Sequence, residues 1–278
     1  MDIKQTEVFA AKIRLETTKM IGKRGFGHLS GSLSVADVLA VLYNGYMKVD
    51  PQNPSWSERD KLVLSKGHAG PALYASLAMR GFFPMEWLDT LNQPGTRLPS
   101  HCDMRLTPGV DMTTGSLGQG ASTAAGLALA QKLDKIDART YLILGDGECN
   151  EGQVWEAVMF ANQYKLDNLV AFVDYNKKQL DGTTDAVMDM GSFAAKFEAF
   201  GWNVKDIDGN DVESIITALE GIPKNGKPTC IVLNTTKGAK VPVVENVALN
   251  HHMVVEGELL EAALAHCEQM LKEAEARL

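Results

Sequence analysis

The sequence predicts an α/β fold: a single doubly wound domain over residues 1–278, with a mostly parallel sheet covered by helices on both faces. Three observations carry this reading. From residue 140 onward, short continuous apolar runs alternate with helix-forming stretches, as parallel strands buried on both faces require. The composition is ordinary for a globular chain, 45% hydrophobic and 22% charged, and 278 residues can build a large core without staples. No internal repeat, low-complexity run or linker divides the chain, so one domain is expected rather than two.

Each element follows from local pattern. Residues 6–21 place Val8, Phe9, Ile13, Leu15, Met20 and Ile21 at helical spacing. GKRGFGHLSG makes a glycine-rich turn, and Ser34 is expected to cap a helix running through Val35, Val38, Leu39 and Leu42. VDPQNPSWSERD reads as loop. KLVLS is a short strand that leads through Gly67 and His68 into a helix with Pro71 near its first turn. Residues 92–120 form a long irregular segment with Pro94, Pro99 and Pro108, a length that in a compact domain usually serves function. Residues 121–133 are a helix of small residues able to approach a sheet closely. TYLILGDG, LVAFVDYN, WNVKDIDG and TCIVLNTT read as strands, separated by helices over 153–164, 193–200 and 212–219. Residues 257–278 form an amphipathic helix.

Charge and cysteine usage narrow the class. Lys and Arg number 27 against 35 Asp and Glu, a net charge of −8 with no basic block, so neither nucleic acid nor an anionic membrane is an expected partner. Cys102, Cys149, Cys230 and Cys267 show no CxxC and no zinc spacing, which suits reduced thiols in a cytoplasm. The first residues are polar and charged, unlike a signal peptide. The small-residue run from 115 to 133 is broken by Gln119, Ser122, Thr123, Gln131 and Lys132 and is too polar to span a membrane.

In a parallel sheet, ligands bind beyond the carboxyl ends of the strands. Three strand ends carry unusual residues: Asp146-Gly147, Tyr175-Asn176 and Lys237-Gly238. An Asp and an Asn at adjacent strand ends can share one hard cation through oxygen, and Mg²⁺ takes few protein ligands plus substrate phosphates. The Gly147 N–H beside a following helix is a natural phosphate seat. Taken alone, GDG reads more simply as a tight turn and Asn176 as a loop cap. Five of the six histidines, His28, His68, His101, His251 and His252, fall in loops rich in Gly, Pro or Asn. His266, on the last helix, reads as an ordinary surface or structural residue.

Asn176 follows Asp146 by one strand–helix–strand crossover, and that spacing resembles the diphosphate motif of thiamine-diphosphate enzymes. GHLSGSLSVADVLAVLY, VDPQNPSWSERDKLVLSKGHAGPALYASL, PSHCDMRLTPGVDMTTGSLGQG, GDGECNEGQVWEA and FEAFGWNVKDIDGND together resemble the N-terminal, diphosphate-binding part of transketolase along nearly the whole chain. The resemblance implies the thiamine-diphosphate-binding fold of the diphosphate (PP) type. It implies Mg²⁺, with Ca²⁺ or Mn²⁺ as substitutes, on Asp146, Asn176 and the backbone oxygen of Lys178. It implies that Gly147 and His68 contact the diphosphate and that Gly115, Leu117 and Leu180 line the cofactor's rings. Glu151 matches a buried acid that in the family lies near the dimer interface. His28, His101 and His251 match histidines facing the substrate's carbonyl and hydroxyl oxygens, work that suits a side chain titrating near neutrality. His252 stands where the family commonly has Gly, so either His251 or His252 could hold the substrate-side position.

A transketolase continues into pyrimidine-binding and C-terminal domains. The sequence stops before them, so the resemblance implies one subunit of a split enzyme, cytoplasmic, active with a partner that carries those domains, as an α2β2 heterotetramer. The implied reaction moves a two-carbon ketol unit between sugar phosphates. Alternatives are a split transketolase dedicated to an unusual branched sugar, a 1-deoxyxylulose-5-phosphate synthase type, a 2-oxo acid dehydrogenase α chain, and a non-catalytic regulatory subunit. LSKGHAGPALY and the histidine set favour transketolase.

Overall fold

In the computed structural model, which describes residues 1–278, the chain opens with α1 (Ile3–Arg24), β1 (Phe26–Gly27), α2 (Leu29–Leu33), α3 (Ala36–Val41), β2 (Lys61–Leu64) and α4 (Gly70–Met79). A long irregular segment leads to α5 (Gln119–Leu133), β3 (Thr140–Gly145), α6 (Gly152–Gln163) and β4 (Leu169–Tyr175). A hairpin of β5 (Lys178–Gln179) and β6 (Gly182–Thr183) precedes α7 (Thr184–Met188), α8 (Phe193–Ala199), β7 (Asn203–Asp208) and α9 (Val212–Glu220). The chain then runs through β8 (Thr229–Asn234), α10 (Pro242–Glu245), β9 (Met253–Val254) and α11 (Gly257–Glu275).

The main sheet has five strands in the order β2-β3-β4-β8-β7, every neighbouring pair parallel. Successive side chains of a strand point to opposite faces, and here each face has its own core. Tyr141 and Ile143 of β3, Val170 and Phe172 of β4, and Ile231 and Leu233 of β8 face the core covered by α1, α3, α4, α9 and α11. Leu142, Leu144, Ala171, Val173, Cys230 and Val232 face the core covered by α5, α6 and α8. That two-sided burial is why the strands read as continuous apolar runs. The alanines of α5 at 121, 124, 125 and 128 all lie in the second core, against the sheet. Asp2 caps α1 by accepting from the Gln5 N–H at 3.0 Å, and Gly25 (φ 88°) ends it after Lys23 and Arg24.

Two local expectations change. Ser34 caps no helix N-terminus. It closes α2, and its hydroxyl lies 3.1 Å from the Gly31 carbonyl and 2.7 Å from Asp174 Oδ2. The helix expected after it is shorter, Ala36–Val41, and Gly45 (φ 124°) breaks the turn that follows. The antiparallel ribbon of β1 and β9, pairing Phe26 with Val254 and Gly27 with Met253, was also outside the sequence reading. Strands of two residues carry no periodicity. All four cysteines are buried free thiols, and no helix is long and apolar enough to cross a membrane.

The irregular segment between α4 and α5 is held by charge. Arg59 donates to Asp111 through Nη1 at 3.0 Å and Nη2 at 2.5 Å, and Asp111 Oδ2 also accepts from the Leu62 N–H at 2.8 Å. Both side chains are almost fully buried. Removing one partner of such a pair leaves the other charge uncompensated in a poor solvent. Asp111→Ala should therefore cost about 3 kcal/mol of folding free energy, read as a fall in the urea midpoint. A midpoint within error of the parent chain would show that the segment is held by other contacts.

Candidate active site

Asp146 and Asn176 stand at the carboxyl ends of the adjacent strands β3 and β4. Both line a cavity of about 260 Å³, together with Lys66, His68, Gly147 and His251. Leu117, Glu151, Lys178 and Leu180 line the same cavity. A more open groove of about 440 Å³, lined by Lys132, Arg139 and Lys224, lies at the opposite end of the strands and holds none of the candidate residues. Chemistry and the rule for parallel sheets both select the smaller cavity.

Beneath it lies a buried polar network. Lys66, at the end of β2, donates through Nζ to Asp174 Oδ2 at 2.5 Å and to the Gly31 carbonyl at 3.0 Å. Asp174 also accepts from Ser34 Oγ at 2.7 Å, from Asn176 Nδ2 at 2.8 Å and from Thr235 Oγ1 at 2.5 Å. Burial alone would raise the Asp174 carboxyl; the Lys66 ammonium reverses this and holds it below the usual range. The bond to Nδ2 fixes which way the Asn176 amide faces. Its Oδ1 turns away from Asp174 and accepts from the Lys178 N–H at 3.2 Å.

Asp146 is the opposite case. Its two oxygens accept from the Gly147 N–H at 2.8 Å and the Lys177 N–H at 2.6 Å, but no cation touches it. Burial first, and the Asp174 charge second, push it up to about 6. This carboxylate lacks positive charge, and each oxygen keeps a free lone pair. The Lys178 carbonyl accepts from Lys237 Nζ at 2.9 Å, while the Lys178 side chain turns away toward the carbonyls of Glu245 and Val247. No group of three or more His, Cys, Asp or Glu is placed to hold a metal. The oxygens at the cavity that could serve a hard cation are those of Asp146, Asn176 Oδ1 and the Lys178 carbonyl. Two amide donors at the cavity, Asn150 Nδ2 and Gln179 Nε2, have no partner. They suit an anionic group bound in the cavity.

The histidine loops converge. The His28 ring centroid lies 5.2 Å from that of His68, 6.0 Å from His101, 5.3 Å from His251 and 4.8 Å from His252. His68 and His251 are 4.9 Å apart. His251 faces the main cavity, and its Nδ1 sits 3.0 Å from Lys237 Nζ. His252 faces the other side, against Phe26. Burial is the first cause of every shift here, with the neighbouring imidazoles and lysines adding to it at His28, His68 and His251. His28 is pushed down to about 4, His251 to about 3, and His68 well below its ordinary value, while His101 is lowered by burial alone. Lys237 is lowered to about 8, first by burial, and still carries its proton at neutral pH. It donates to His251 Nδ1, so the imidazole proton sits on Nε2.

The loop carrying Gly115 and Leu117 is set by close approach. At Gly115 (φ 147°) a Cβ would come within 3.3 Å of the His101 ring. At Gly118 (φ 82°) it would meet Glu151 Cβ at 2.9 Å. Leu117 and Leu180 are exposed apolar side chains at the rim of a polar cavity. Glu151 is exposed in the single chain and occupies the N-cap position of α6 without capping it through its side chain.

Lys66, Glu148 and Asp174 were not singled out from sequence, and Lys237 was noted only as following a strand end, without a role. A signal existed for Asp174, because an acid ending an otherwise apolar strand must find a buried partner. Glu148 gave no such signal. Its carboxylate accepts from Ser65 Oγ, from the Gly118 N–H at 2.8 Å and from the Gly145 N–H at 3.0 Å, joining the ends of β2 and β3 to the start of α5.

Residues 5–266 match the family model described as transketolase, thiamine diphosphate binding domain. The chain is 54% identical over 258 residues to a 6-deoxy-6-sulfo-D-fructose transketolase subunit, SqwG, of Clostridium sp. (strain MSTE9), covering 92% of this chain and 94% of that one. It is 40% identical over 276 residues to an apulose-4-phosphate transketolase subunit of Phocaeicola vulgatus, covering 99% and 98%. Among solved structures, a transketolase from Leishmania mexicana superposes with a TM-score of 0.84 at 29% identity. One from Pichia stipitis in complex with sedoheptulose 7-phosphate gives 0.83 at 28%. The chain spans 45% of each of those two solved chains.

The lowered histidines make a prediction about stability. Between about pH 6.5 and 4 the unfolded chain binds protons that folded His28 refuses, so its burial costs the folded state more as pH falls. The stability advantage of the parent chain over His28→Asn should shrink on going from pH 7 to pH 5 in urea unfolding. A constant difference across that range would mean that His28 titrates as a free imidazole.

Proposed function

The chain belongs to the transketolase family, as its thiamine diphosphate-binding domain, and on that premise we propose that it is the diphosphate-binding subunit of a two-chain transketolase. The reaction is transfer of a two-carbon ketol unit from a ketose phosphate to an aldose phosphate. The observation that carries the reading is the convergence of Asp146, Asn176, His68 and His251 on one cavity, with His28 and His101 against them. The relatives that the chain matches nearly end to end are named as subunits, which supports a partner carrying the pyrimidine-binding and C-terminal domains. The assembly we propose is α2β2, in the cytoplasm.

The residues fit the cofactor with a divalent cation, Mg²⁺ by preference or Ca²⁺ or Mn²⁺. Asp146, Asn176 Oδ1 and the Lys178 carbonyl would hold the cation, whose charge would draw the Asp146 carboxyl back down. Gly147, His68, Lys237 and the unpartnered amides of Asn150 and Gln179 would face the diphosphate, and Leu117, Leu180 and Gly115 would give apolar and close-packed surface for the rings. When bound, thiamine diphosphate supplies the electron sink for carbon–carbon cleavage. The chain's own work is proton and hydrogen-bond chemistry. His251, neutral and with its proton on Nε2, is set to donate to a carbonyl or hydroxyl oxygen, and Lys237 behind it stabilises that tautomer. His28 and His101 stay neutral at pH 7, so each can donate or accept. Glu151, exposed here, is placed to meet a neighbouring subunit.

A second reading, a specialised sugar donor, is favoured by the names of those relatives, which concern 6-deoxy-6-sulfo-D-fructose and apulose 4-phosphate. It changes the substrate and not the chemistry.

The purified chain alone should show no measurable ketol transfer and should gain it when mixed with a pyrimidine-domain partner; full activity alone would end the two-chain reading. Asp146→Ala should weaken thiamine diphosphate binding by more than about tenfold, measured by titration in the assembled complex with and without Mg²⁺. Unchanged affinity in a folded variant would remove Asp146 from the cation site.

A further inference from the structure

Glu148 is a buried acid lining the cavity that the ketol-transfer chemistry leaves unused. It sits in the turn between β3 and α6. Hydrogen bonds, not a cation, compensate its charge. Oε1 accepts from Ser65 Oγ and from the Gly118 N–H at 2.8 Å, and Oε2 accepts from the Gly145 N–H at 3.0 Å. A buried carboxylate is tolerated only while its donors stay in place. The same bonds therefore hold the donors.

Two of those donors adjoin residues of the site. Gly145 immediately precedes Asp146, and Gly118 immediately follows Leu117. One carboxylate thus links the cation side of the cavity to its apolar rim. The two ends depend on it unequally. Asp146 has other supports, since its N–H donates to the Asp174 carbonyl at 3.2 Å and its oxygens accept from the Gly147 and Lys177 N–H groups. The Leu117 loop has no such reserve. Glu148 is the only side chain that hydrogen-bonds to the backbone of residues 115–118. Gly118 (φ 82°) opens α5 without a side-chain cap. Close contacts limit how far the loop can move inward. At Gly67 a Cβ would lie 2.8 Å from Thr114 Oγ1 and 2.9 Å from the Gly115 nitrogen. Nothing but the bond to Glu148 opposes outward movement at Gly118, and Leu117 is itself exposed, so its own packing does not anchor it.

We propose that Glu148 is a positioning residue for the cofactor's rings, holding Leu117 at the rim through the Gly118 N–H. The inference rests on the ketol-transfer reading and deepens it. A loop fixed in advance need not be ordered when a ligand binds, and that saving appears as affinity. It is gained by a ligand that reaches Leu117. A ligand that fills only the cation end does not gain it.

The test uses the complex of this chain with its pyrimidine-domain partner and Mg²⁺. Calorimetry reads the affinity for thiamine diphosphate, and competition reads that for inorganic pyrophosphate, which has no rings. Glu148→Ala should weaken thiamine diphosphate binding by about tenfold and leave pyrophosphate unmoved. Glu148→Gln, with the same shape and one acceptor oxygen left, should fall between Glu148→Ala and the parent, and it decides the question if Glu148→Ala does not assemble. Leu117→Ala should weaken thiamine diphosphate binding in the parent and add little in the Glu148 variant, because both changes remove one contact. Unmoved thiamine diphosphate affinity, an equal loss for pyrophosphate, or additive losses with Leu117→Ala would overturn the inference and leave the ketol-transfer reading standing. Failure of the parent complex to bind thiamine diphosphate would overturn that reading, and this inference with it.

Discussion

The buried ion pair of Lys66 and Asp174 is the constraint on which the cavity depends. Two charges out of water cost several kcal/mol each before their attraction is counted, so the pair survives only where every remaining valence is met. Here the requirement is met by Gly31, Ser34, Asn176 and Thr235. Those partners come from α2 and the turn that closes it, from the end of β4 and from the end of β8. One carboxylate thus registers three parts of the chain that are remote in sequence, and it orients the amide proposed to face the cation.

Next to that satisfied acid stands an unsatisfied one. Asp174 is neutralised by Lys66 while Asp146 has only backbone N–H groups, and the two pKa directions diverge accordingly. Such a split marks a functional group more often than a structural one. On the far wall Lys237 bears a proton it holds loosely, and it sets the tautomer of His251. The cavity is therefore polarised before any ligand arrives, with an electron-rich floor at Asp146 and donors along the side, which is the arrangement preorganised sites use.

Much of this was legible in the residues. β3, β4 and β8 were readable because two-sided burial leaves only apolar side chains, and the carboxyl-end rule then pointed to Asp146 and Asn176. The loop histidines were noticeable because glycine and proline surround them. Their convergence was not readable, since it depends on a two-residue ribbon with no periodicity and on packing between distant loops. Ser34 misled because a serine ahead of an apolar helix is a good cap in isolation, and a buried acid competes more strongly than the helix for its hydroxyl. Glu148 was hidden inside the GDGECNEG stretch, where its neighbours drew the functional reading.

The ribbon of β1 and β9 joins residues near 26 to residues near 253, and helices α1 and α11 pack beside it. The imidazole cluster thus joins residues from near the two ends of the chain. Closing so long a loop is entropically late work in folding. On a ribosome every strand of the main sheet and every cation-facing oxygen is made before His251. The reactive geometry therefore waits on segments from both halves of the chain.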